Sequence, residues 1–153
     1  MTLPTIVPTE YDGTDNDFLK TKGVDRSGAV RMINGAVTVP TATVADTIIG
    51  LVPFNKGAKF SLNDKTFHVG NIGAGTTVVN VGFVYDDAAL TDDPNAFVSA
   101  STAAQSGDFI AIDEIAGYTF EAEGNGWLVI QPATANTDAE GDVSFSVLQT
   151  YGG

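Results

Sequence analysis

Few residues in this chain can do acid–base or covalent chemistry, and their spacing matches no familiar site. There is one histidine, His68, and no cysteine. A Ser-His-Asp triad or an imidazole metal site would therefore rest on a single ring, and thiolate chemistry, disulfides and thiolate zinc sites are excluded. No Gly-x-Ser-x-Gly turn supplies a serine nucleophile. His68 falls in the short alternating run Thr66 to Val69 and reads as a partly exposed strand residue with one hydrogen bond. Gly70-Asn71-Ile72-Gly73-Ala74-Gly75 has the composition of a phosphate cradle but neither nucleotide spacing. The run that follows it, Thr76-Thr77-Val78-Val79, reads as a strand, where phosphate binding needs a helix N-terminus.

Carboxylates are the remaining candidates. Asp86-Asp87, Asp92-Asp93 and Asp113-Glu114 are adjacent pairs, whereas a glycosidase needs two acids facing across a cleft, one with a shifted pKa. They read as solvated loop acids. Asp12, Asp15 and Asp17, and again Asp138, Glu140 and Asp142, offer oxygen ligands to calcium without the Asp-x-Asp-x-Asp-Gly order of the helix–loop–helix site. Trp127 and the tyrosines suit a sugar platform only if exposed, and in alternating strands they read as core. The expectation is a protein that binds and does not catalyse, with no metal and no cofactor.

The elements that would position these residues are strands. A chain of 153 residues with 43% hydrophobic content fits one domain. Charged residues are only 17%, and Gly, Thr, Val and Ala dominate over Leu, Glu and Lys, which favours strands and tight turns. Residues 29–153 are expected to form this domain, preceded by an extended arm, residues 1–28, rich in Thr, Asp, Pro and Gly. Met1 to Glu10 lacks a basic cluster followed by an apolar run, and no apolar stretch is long enough to span a bilayer. A soluble protein made in the cytoplasm and not exported is expected. Net charge is −12, and Lys20, Lys22, Arg26, Arg31, Lys56, Lys59 and Lys65 hold all the basic charge, leaving residues 66–153 without any. Such a surface repels phosphate, which argues against nucleic acid and anionic membrane as partners.

Asn34-Gly35 between Val30–Ile33 and Ala36–Val39 predicts a hairpin with a type I′ turn. Thr47 to Phe54, apolar on both alternating faces, predicts a strand buried between two layers. Lys59–Leu62 and Thr66–Val69 read as short strands around an Asn63-Asp64 turn. Thr76 to Tyr85 places Val79, Val81, Phe83 and Tyr85 on one face. Asp86 to Asn95 reads as a loop, Ala96 to Ala104 as a strand or a helical turn, and Phe109–Ile112 as a strand. Tyr118 to Glu123, turning at Gly124-Asn125-Gly126 into Trp127–Ile130, predicts a second hairpin. Val143, Phe145, Val147, Gln149 and Tyr151 alternate with hydroxylated residues in a last strand. The sum is an all-β antiparallel sandwich or barrel, with the jelly-roll favoured. Its expected core includes Ile49, Leu51, Val79, Val81, Phe83, Phe120, Trp127, Val129, Phe145 and Val147.

The run Asp46-Thr47-Ile48-Ile49-Gly50-Leu51-Val52-Pro53-Phe54-Asn55-Lys56-Gly57-Ala58-Lys59-Phe60, followed by Thr76-Thr77-Val78-Val79-Asn80-Val81-Gly82, resembles tailed-bacteriophage head decoration or cement proteins. The similarity continues through Asp93 to Gly107, Gly117-Tyr118-Thr119-Phe120 and Gly141-Asp142-Val143-Ser144-Phe145, covering roughly residues 43–151 as loose motifs. It implies a jelly-roll sandwich on the outside of a virion, clamping copies of the major capsid protein as a homo-oligomer. In that setting Lys20, Lys22, Arg26 and Arg31 are expected to contact the capsid, with the acidic loops around Asp92 and Asp93 facing outward. The alternative is a lectin-like sandwich binding glycans as a phage fibre or adhesin component, which needs exposed aromatics beside acidic loops.

Overall fold

The computed structural model describes residues 30–73 and 75–151 together with Pro4 and Ile6. The rest of the expected arm, with Lys20, Lys22 and Arg26, lies outside the described residues, as does the side chain of Arg31. Strands are β1 (Val30–Val39), β2 (Ile49–Phe54), β3 (Ala58–Ser61), β4 (Phe67–Val69), β5 (Val78–Tyr85), β6 (Asp93–Ser101), β7 (Asp108–Phe109), β8 (Gly126–Ala133) and β9 (Gly141–Tyr151). A 3-10 turn (Ala103–Gln105) and one turn of helix, α1 (Ala116–Thr119), are the helical pieces among the described residues. One sheet runs β1-β9-β4-β7, with β3 also on β9; the other runs β2-β8-β5-β6, and every strand pair is antiparallel. The fold is the expected all-β sandwich.

Period-two patterning explains the layers. In β9, Val143, Phe145, Val147 and Gln149 are buried while Asp142 and Ser146 are exposed. In β5, Val79, Val81 and Tyr85 face the core, with Phe83 partly buried against it. β2 is buried at all six positions for two reasons. A bulge between Gly50 and Val52 turns both Leu51 and Val52 into the core. On the opposite face, Ile48, Val84 and Val129 form a second small cluster against Trp127. Trp127 and Val129, expected in the main core, thus belong to the other side of the sheet. Phe83 and Phe120, expected there too, are partly buried against the main core, and Ile49, Leu51, Val79, Val81, Phe145 and Val147 are buried in it.

β3 and β4 are successive pieces of one strand path along β9, opposite Tyr151–Leu148 and Phe145–Val143 respectively. Between them residues 62–66 loop out, closed by Thr66 N–H to Asn63 O (3.1 Å) and Asn63 N–H to Thr66 Oγ1 (2.9 Å).

Both expected hairpins are corrected. β1 runs straight through Asn34-Gly35 in unbroken register with β9, Asn34 opposite Ser146 and Gly35 opposite Phe145, and neither residue has the positive φ of a type I′ turn. The distant eleven-residue β9 offers a full-length ladder that a four-residue hairpin arm cannot match, so tertiary pairing overrides the local signal. Tyr118–Glu123 is not a strand either. Tyr118 and Thr119 lie in α1, and only Glu121 bridges, to Lys59, because Phe120 is drawn into the core while Tyr118 stays exposed. β6 begins at Asp93, inside the expected loop, and ends in the 3-10 turn; the expected Phe109–Ile112 strand shrinks to Asp108–Phe109.

Candidate functional site

Pairing registers sort the loops into two ends. At one end lie the start of β1, the 55–57 turn, the 86–92 loop, the 110–125 segment and the end of β9; at the other lie residues 40–48, 70–77, 102–107 and 134–140. Beneath the first end the sheets are joined by aromatics. Phe54 meets Phe60, Tyr85 and Phe120 edge-on at 5.7–6.0 Å between centroids, and Phe120 also packs on Phe83 and Phe97. Such pairs add to burial through their quadrupoles.

Above this plug is an open depression of about 490 Å³ lined by Lys56, Asp86, Asp87, Leu90, Glu123, Gly124 and Asn125. Backbone bonds hold its rim: Asp86 N–H to Asn125 O (2.9 Å), Lys56 N–H to Asn125 Oδ1 (3.0 Å) and Gly57 N–H to Ala122 O (2.8 Å). Burial pushes the Asp86 carboxyl above its usual range. Burial also raises the Tyr85 hydroxyl, opposed by its bond from the Glu123 backbone N–H and reinforced by the charges of Glu123 and Asp92. Tyr85 is only 3% exposed, so the aromatic wall here belongs to the core and is no sugar platform.

Three of the six acids read as solvated, Asp87, Asp92 and Asp113, fasten loops, as does Asp64. Asp92 Oδ1 accepts the Tyr85 N–H (2.7 Å), Asp87 Oδ1 that of Ala89 (2.9 Å), Asp64 Oδ1 that of Ile112 (3.2 Å) and Asp113 Oδ1 that of Ser99 (3.2 Å). Asp92 and Asp93, expected on outward loops, sit at the end where β1 begins. Among the described residues no group of three or more His, Asp or Glu is placed to hold a metal ion, so Asp138, Glu140 and Asp142 are not gathered into one site. Asp12, Asp15 and Asp17 lie outside the described residues.

The glycine-rich loop is likewise structural. Ile72 and Gly73 donate to Ala104 O at 3.1 and 3.2 Å, and Ile72 O accepts from Asp138 N–H at 2.8 Å, so these amides tie three loops together and are not turned toward an anion. His68 is half-buried on the outer face of β4, its ring edge-on to Phe109 at 5.0 Å, with Lys65 Nζ 4.4 Å from the Phe109 centroid. The nearby Ser146 hydroxyl is engaged with Asn34 Oδ1 (2.6 Å). Lys59 pairs with Glu121 at 3.5 Å, both half-exposed, a contact of little energetic weight. The exposed large apolar side chains include Ile115 and Tyr118, one helical turn apart in the 110–125 segment, a pair that the strand reading of Tyr118–Glu123 hid.

Fold and surface together define an all-β double-sheet sandwich whose described residues assemble no catalytic constellation. No family model matches the chain, and no curated protein does. Two solved structures share the fold. One is a chain in the capsid of Ralstonia phage GP4, 21% identical, with a TM-score of 0.67 over 84% of this chain and 88% of that one. The other is in the capsid asymmetric unit of cyanophage Pam1, 22% identical, with a TM-score of 0.57 over 82% of this chain and 86% of that one.

Proposed function

We propose that this chain is a structural virion protein of a tailed bacteriophage that binds the outside of the capsid and strengthens contacts between major capsid protein subunits. The observation that carries this reading is the likeness over more than four-fifths of both chains to components of two phage capsids. The strand order supports the jelly-roll topology that goes with it: β1, β9, β4 and β7 face β2, β8, β5 and β6, with β3 a continuation of β4. A protein of this kind acts through binding alone, adding buried surface across subunit boundaries so that disassembly must break more contacts, with many copies acting together.

Docking is assigned to the end where β1 begins. Lys20, Lys22, Arg26 and Arg31 precede or open β1, Lys56 and Lys59 lie at the same end, and Ile115 and Tyr118 give it an apolar anchor. Among the described residues the opposite end carries Asp46, Asp138 and Glu140 and no Lys or Arg, and in this reading it is the outward one. The deciding experiment is electron microscopy of shells stripped of accessory proteins and incubated with the purified chain. Ordered density for the sandwich on the outer surface is expected; density only on fibres, or retention on a glycan array with bare shells, would replace this reading with the lectin-like one.

A further inference from the structure

The edge of β2 is built as a slot. Ile6 pairs in parallel with Ile49, and its carbonyl accepts the Gly50 N–H at 2.6 Å. Gly50 has no side chain because none fits: a Cβ there would stand 2.8 and 2.9 Å from Pro4 Cβ and Cγ and 2.9 Å from Trp127 Cε3. Ile6 is half-buried against the main core. A strand edge left open is a hazard in a sheet protein, and a short added segment with its own side-chain seat removes it.

We infer that this slot accepts the Pro4–Ile6 segment of a second copy as well as its own, so that neighbouring copies link by exchanging N-terminal segments. Every contact just described lies between Pro4 and Ile6 on one side and Ile49, Gly50 and Trp127 on the other, so the slot does not distinguish whose segment fills it. The chain from residue 7 to residue 29 reaches about 75–80 Å when extended, roughly twice the ~33 Å length of a ten-residue strand such as β1. That reach spans to an adjacent sandwich. Which slot is filled then depends on local concentration, and crowding favours the neighbour's. This goes beyond the capsid reading and does not rest on it.

Two full-length variants test it. Ile6→Asp leaves the slot intact with a segment that cannot seat; Gly50→Val fills the slot and leaves the segment intact. Each alone is expected to be monomeric, and their mixture to form a 1:1 complex by size-exclusion chromatography with light scattering. Trp127 is the single tryptophan, so its emission should shift to the red in Ile6→Asp and return when a peptide of residues 1–10 is added. Peptide uptake without a 1:1 complex would confine seating to the chain's own slot and overturn the inference. Wild-type-like emission with no peptide uptake would remove the slot itself. Should Gly50→Val fail to fold, oxidising a mixture of Ile6→Cys and Ile49→Cys chains decides, since the protein has no other cysteine: a disulfide-linked heterodimer is expected, and its absence overturns exchange.

Discussion

Gln149 is 1% exposed on the inner face of β9, opposite Arg31 and Phe60 in register, and its Nε2 has no hydrogen-bond partner. An unpaired buried donor costs about 1–3 kcal/mol of desolvation. Gln149→Met, close in shape and without the donor, should therefore stabilise the fold by about 1 kcal/mol or more, read as a higher urea midpoint at unchanged slope; a lower midpoint would show that the amide is bound. Phe145, 4% exposed in the same strand, should behave oppositely: Phe145→Ala is expected to cost about 3–5 kcal/mol, and a loss below about 1 would contradict its inward register. Asp86 adds a pH dependence. Burial raises its folded pKa above the unfolded value, so the native state holds its proton more tightly, and the group's contribution to stability falls as pH rises from the ordinary carboxylate range through the raised value. Asp86→Asn should therefore gain stability relative to the wild type at pH 7 and lose that gain by pH 4 in paired denaturation curves. The sequence marked Phe145 through alternation. It gave no mark for Gln149 or Asp86, because burial of a polar side chain at a sandwich end depends on which strands meet there.

At the scale of elements, long strands were legible from apolar patterning: Val78–Tyr85 and Gly141–Tyr151 appear where alternation places them, and Ile49–Phe54 where a continuous apolar run does. What failed was inference from short turn signals. Asn34-Gly35 is a strong local cue, yet a hairpin there would set Val30–Ile33 against Ala36–Val39 and forfeit ten cross-strand pairs with β9. Gly124-Asn125-Gly126 does turn the chain, but Asn125 serves the 55–57 turn and the 86–92 loop, and β8 pairs with β2 and β5. Local cues fix where a chain can bend, while partner choice is decided by long-range burial. Asn34→Thr distinguishes the two outcomes. Threonine suits an outward strand position and resists positive φ, so the variant should unfold within about 0.5 kcal/mol of the wild type. A loss of 1–2 kcal/mol would restore the turn.

For the whole molecule, the charge asymmetry read from the sequence does not divide the two ends by sign, because Asp86, Asp87, Asp92, Asp93, Asp113, Glu114, Glu121 and Glu123 share the end where β1 begins with Lys56 and Lys59; what differs is where cations are found. Lys56 and Lys59 flank the end from which β1 starts, with Lys65 in the 62–66 loop beside β4 and Phe109, while Asp138 and Glu140 crown an opposite end that has no cation among the described residues. In the proposed orientation the cation-free end faces outward, where its acids keep crowded particles from adhering, and the basic side chains of residues 20–31 meet carboxylates on the shell and orient docking. Capture of the free chain by bare shells should thus weaken as salt rises. The placement of Asp92 changes which comparison is informative. Its carboxylate fastens the Tyr85 N–H, so neutralising it disturbs the fold and says little about outward charge. Asp138→Asn with Glu140→Gln is the cleaner control. Deleting residues 1–28 is also confounded, because it removes Pro4 and Ile6 from the β2 edge. The sharper variant exchanges Lys20, Lys22 and Arg26 for serine and keeps the segment that seats on β2. That triple variant should bind shells more weakly than the wild type and lose most of the salt dependence, Ile115→Ser with Tyr118→Ser should weaken binding at every salt concentration, and the Asp138/Glu140 variant should bind as the wild type does. If instead the triple variant matched the wild type in both affinity and salt slope while the Asp138/Glu140 variant lost binding, the orientation would be reversed and the acid-only end would be the one that meets the shell.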